Sequence, residues 1–229
     1  MVTYTTLMGM AAGLGMMLIS TLGYRLYKQK NLPSFDGWAL SFAGLGGVLA
    51  ALGAHMTLSW PLQSPERFKN FMFGEPILIF GILLMLGAFF LWRRGQLLLD
   101  LRRSGNGDVE FNSYLTAVLW PVVWIVFGTG LVLAACTVAA FRYEVFATAP
   151  QQEPVLGTEP TKSILNMILC LLYALPAVAC LLVPLVFYIR SRTIMAVSGI
   201  SLFLAGLGWF AVAVLVYYTH IGMDFNFRS

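Results

Sequence analysis

Runs of about 20 apolar residues recur along the whole chain, separated by polar connections, and none has the alternating pattern of a barrel strand. Each is long enough to cross a hydrocarbon core roughly 30 Å thick as a helix, and backbone amides in lipid must bond within their own segment. The pattern predicts an all-α, polytopic transmembrane helical bundle forming a single domain over residues 1–229. Its six spans fall at about 4–23, 38–60, 76–92, 114–140, 163–189 and 193–219. No charged residue lies inside a span except near an end.

Local residues refine these elements. In FGEPILIF, residues 73–80, Gly74 turns the chain, Pro76 suits the first turn of a helix, and Glu75 stands beside it as a cap facing the positive end of the helix dipole. Residues 93–112 carry a short LLLDL segment that predicts either a surface helix ending at the turn SGNGD or an ordinary solvated loop. Residues 142–162, rich in Pro, Gln, Glu and Thr, predict an irregular external connector. Small residues recur at packing intervals, Gly9 with Gly13, Ala43 with Gly47 and Gly46 with Ala50, and predict a tight inner pair of the first two helices.

Charge sets the threading. Arg25, Lys28, Lys30, Arg93, Arg94, Arg102, Arg103, Arg190 and Arg192 fall in the first, third and fifth connections. Only Arg67, Lys69, Arg142, Lys162 and Arg228 fall on the opposite side, among several acids. The more basic side belongs in the cytoplasm, which puts both termini outside. The N-terminal MVTYTTLMGM has no positive segment before its apolar run, so it reads as a retained first helix and not as a signal peptide. Trp38, Trp60, Trp92, Tyr188, Tyr217 and Tyr218 fall near the expected interfaces.

Composition narrows the chemistry. Of 229 residues 59% are hydrophobic and 10% charged, and the formal charge of +4 is spread over connections with no aromatic-interleaved basic stripe, so the expected surroundings are lipid and not nucleic acid. Cys136, Cys170 and Cys180 lie within spans and form no C-x-x-C pair, which argues against a disulfide or a cysteine-based metal site. No nucleophile elbow, zincin, P-loop or dinucleotide fingerprint is present, so no catalytic residue is assigned.

Three ionisable residues remain as a candidate polar cluster: His55 in GAHMTLSWPL, Glu75, and His220 in YYTHIGMDF, all threaded to the outer side. His55 sits five residues before Trp60, about one and a half turns below the interface. Glu75 would accept a hydrogen bond from its imidazole, either as structural glue or as part of a site. As a site, His55 and His220 are candidate ligands for haem or a metal, with Met56 and Met223 beside them. The alternative is the vestibule of a proton or small-solute transporter, although the inner halves of the spans hold no ionisable group to continue a relay.

The segments GAHMTLSWPL and NFMFGEPILIFGILL resemble an uncharacterised family of prokaryotic multi-pass membrane proteins, a domain of unknown function, most strongly over residues 44–92. The resemblance implies a bacterial or archaeal plasma membrane and a helical fold, and it puts the His55 and Glu75 segments in one unit. It supplies no activity. The expected role is an accessory or scaffolding subunit of a larger membrane assembly, a respiratory one being the candidate, with other membrane subunits as partners.

Overall fold

The structure, a computed structural model, describes residues 4–28, 34–63, 67–103, 107–147 and 159–227. The side chains of residues 4, 107–108, 159–160, 219–220 and 222–227 lie outside that description. Six helices follow one another: α1 (Tyr4–Tyr27), α2 (Asp36–Ser59), α3 (Lys69–Arg103), α4 (Gly107–Arg142), α5 (Glu159–Ile189) and α6 (Arg192–Phe227). All six are long and apolar enough to cross a membrane, and no strand occurs among the described residues. The protein is an all-α, multi-pass membrane protein.

Two local expectations are corrected. The helix does not begin at Pro76: α3 starts at Lys69, so Glu75 is a helical residue and Pro76 an interior one. The start is organised further upstream, where the amides of Asn70 and Met72 already bond to the carbonyls of Arg67 and Phe68. Pro76 removes the amide that would bond to the Met72 carbonyl, a loss that membrane helices tolerate. Nor does the segment after Trp92 lie down as a separate surface helix. The 35-residue α3 runs on to Arg103, about 52 Å in all, well beyond a core roughly 30 Å thick. Leu91, Gly95 and Leu98 continue its buried stripe, and a Cβ at Gly95 would stand 3.2 Å from the Cβ of buried Phe35, so the extension has packing to rest on.

The chain divides into two compact units, Met1–Pro121 with Gly206–Ser229, and Val122–Ala205. In the first unit the small residues find partners other than those expected. α2 and α3 form a close antiparallel hairpin: a Cβ at Gly46 would lie 2.9 Å from the Gly81 carbonyl oxygen, and one at Gly53 would lie 2.6 Å from the Leu78 nitrogen. Gly13 of α1 meets α6, where a Cβ would come within 2.6 Å of the Gly206 carbonyl oxygen. α1 does touch α2, but neither Ala43 nor Gly47 makes that contact close: Ala43 is exposed, and a Cβ at Gly47 would meet nothing within 4 Å.

In the second unit, α4 and α5 approach at Gly130, whose added Cβ would lie 3.0 Å from the Cys180 Cβ. The Ser198 hydroxyl of α6 donates to the Ala179 carbonyl of α5 at 3.1 Å. Thr129 and Thr137 return their hydroxyls to their own helix, to the Ile125 and Leu133 carbonyls, which satisfies them in lipid.

Candidate functional site

The three residues singled out from the sequence take different positions. A Cβ at Gly74 would stand 3.1 Å from the Thr57 nitrogen, so the Glu75 and His55 segments run side by side in one unit. Their side chains do not point the same way. A helix turns about 100° per residue, so His55, two positions past the α3-facing Gly53, is turned about 200° from α3. Glu75, one position past the α2-facing Gly74, points about 100° away from α2, and both residues are exposed. Ser59 gives its hydroxyl proton to the His55 carbonyl at 2.6 Å, and its oxygen lies 3.4 Å from the ring Nε2, placed to accept from an Nε2–H tautomer. His220 lies on α6, and its side chain falls outside the described residues.

The best-built polar site is one that the sequence did not single out. Asn70, 0% exposed, accepts from the Leu62 amide at 3.0 Å and donates to the Leu62 and Arg67 carbonyls at 2.8 Å each. One side chain thus serves both backbone groups of a loop residue, as a paired strand would. The latch holds the turn after α2, where Trp60 takes a left-handed conformation, φ 46°. Arg67 lies over the Trp60 ring at 5.1 Å, and Trp60 in turn lies 6.2 Å from Phe71, so a guanidinium resting on one ring of an aromatic pair is presented at the exposed rim of the hairpin.

The second unit has a comparable feature. Lys162, Asn166, Cys170, Tyr173 and Ala177 form one buried face of α5. Asn166 accepts from the Phe146 amide at 3.0 Å, and Phe146 stacks on Tyr173 at 5.9 Å. The three cysteines are free thiols, and among the described residues no three His, Cys, Asp or Glu side chains converge as a metal site.

A family model described as a protein of unknown function (DUF981) matches residues 1–223. The chain belongs to the DUF981 family. No curated protein and no solved structure matches it. The match spans both units of this DUF981 protein and includes Asn70 and Asn166. The available sequence signal for both was an amide placed within or beside an apolar run, in KNFMFGEP and in SILNMILC, where an unsatisfied polar group would be costly.

Proposed function

We propose that this DUF981 protein is an accessory or scaffolding subunit of a larger assembly in a prokaryotic plasma membrane, a respiratory one being the first candidate. The observation that carries the reading is the face of α2 turned away from α3. Gly37, Gly44, Ala51 and His55 recur at helical intervals and are all exposed, and a Cβ at Gly37, Gly44 or Gly47 would meet nothing within 4 Å. Inside lipid, helices associate where small residues let backbones approach and polar side chains bond across. The inner face of α2 uses that rule against α3, and its outer face offers the same materials to a helix from another subunit, with His55 as the polar group at one end.

The test uses the open space. At Gly44 an added Cβ meets none of the chain's own atoms within 4 Å, so Gly44→Leu should match wild type in helicity and thermal unfolding, whereas a partner helix seated on that face would be expelled. Wild type solubilised in mild detergent should migrate with larger subunits, and the variant should migrate alone. Migration of wild type as a lone chain, or an unchanged complex in Gly44→Leu, refutes the subunit reading. A reduced-minus-oxidised spectrum of the same preparation checks the redox alternative, since a Soret band lost in His55→Ala would put a haem protein in its place.

A further inference from the structure

At one end of the first unit, the last turn of α1, the start of α2, the end of α3 and the start of α4 come together around three cations. The Arg25 guanidinium lies 5.9 Å from the Trp38 ring centre, the Lys28 ammonium 5.9 Å from Tyr27, and the Arg102 guanidinium 5.3 Å from Phe111. Arg102 also donates from Nη2 to the Leu26 carbonyl, one of the acceptors left open at the end of α1. The negative end of the α1 dipole accounts for cations gathering here. It does not account for how their charge is met. Among the described residues these three rest on rings and backbone with no ion pair, and the nearby Asp36 carboxylate accepts from Ser34. Among the described residues, the buried Arg102 Nη1 has no hydrogen-bond partner. A charged donor left without an acceptor is costly, and its natural complement is an anion.

We propose that this end of the unit binds the phosphate of an anionic phospholipid headgroup. Arg25 and Lys28, both exposed, reach the phosphate from the α1 side, and the half-buried Arg102 supplies the guanidinium whose hydrogen-bonding the protein leaves incomplete. Trp38, Tyr27 and Phe111 form the aromatic floor on which the cations lie, at the depth where such rings favour the headgroup region. Basic pockets between membrane helices bind anionic headgroups in this way.

The test titrates the full-length chain in neutral detergent with phosphatidylglycerol, phosphatidylcholine and inorganic phosphate, following thermal unfolding in wild type and in Arg25→Gln/Lys28→Gln. Phosphatidylglycerol should raise the unfolding temperature of wild type and the other two should not. The double variant should bind phosphatidylglycerol about 25-fold more weakly, at about fivefold per cation near an anionic surface. Equal stabilisation by both lipids, or wild-type affinity in the double variant, overturns the proposal. Stabilisation by inorganic phosphate equal to that by phosphatidylglycerol overturns the headgroup assignment in favour of a free anion. Arg102→Gln should also lose the response; because it removes a bond that holds α1, the double variant at exposed positions carries the decision if Arg102→Gln does not fold.

Discussion

The connection after α2, residues 60–68, and the one after α4, residues 143–158, solve one problem with different materials. Each connection begins with a non-glycine residue in the left-handed region close behind its helix, Trp60 at φ 46° directly after α2 and Glu144 at φ 48° two residues past the end of α4. In each, the residue two positions further on gives its amide to a buried asparagine of the following helix, Leu62 to Asn70 and Phe146 to Asn166. There the likeness ends. Asn70 serves both backbone groups of Leu62 and a carbonyl of Arg67, so the shorter connection is held by an amide. In the longer one Asn166 accepts one bond, and the anchor is the Phe146 ring, buried and stacked on Tyr173. A tight turn leaves polar backbone near the bundle that must be paired, whereas a long one can send a side chain back as a plug.

On that contrast, Asn70→Ala has the largest effect. It strips both Leu62 backbone groups of partners, each worth roughly 1–3 kcal/mol if left dry, and should cost about 4 kcal/mol in detergent unfolding. Next comes Phe146→Ala, expected to cost about 3 kcal/mol through its lost ring. Asn166→Ala should cost only about 1.5 kcal/mol, for one orphaned amide. An Asn166→Ala effect equal to that of Asn70→Ala would erase the distinction between the two anchors. The smallest effects separate the two left-handed residues. Glu144→Gly should stabilise by about 1 kcal/mol, because the exposed side chain only adds strain. Trp60→Gly should stay within about 0.5 kcal/mol of wild type, the relief being offset by the lost Arg67 and Phe71 contacts. Urea or thermal unfolding of the purified variants reads all five.

The six helices were legible because lipid imposes a length and an apolar content that only such runs satisfy. Their ends were less so. Pro76 is a strong local signal for a helix start, yet α3 begins at Lys69 because Asn70 organises the chain before it through a loop partner eight residues upstream. The spacing of Gly46 and Ala50 marked a close-packing face, but an interval along one helix does not name the helix opposite. Gly46 meets α3, and Gly13 meets α6. For His55 and Glu75, residue type and level could be read, but not direction, which depends on the phase of each helix relative to its packed glycines, Gly53 and Gly74.

The meeting of Gly13 with Gly206 also fixes a timetable. The first unit draws on both the beginning of the described chain and its last helix, with the second unit made in between. On the order of 200 residues are synthesised between the two glycines, roughly 10 to 40 s at about 5–20 residues per second. For that interval the backbone groove at Gly13 stands open to lipid or to any passing helix, so the first of the six helices to be made waits for the last to complete its packing.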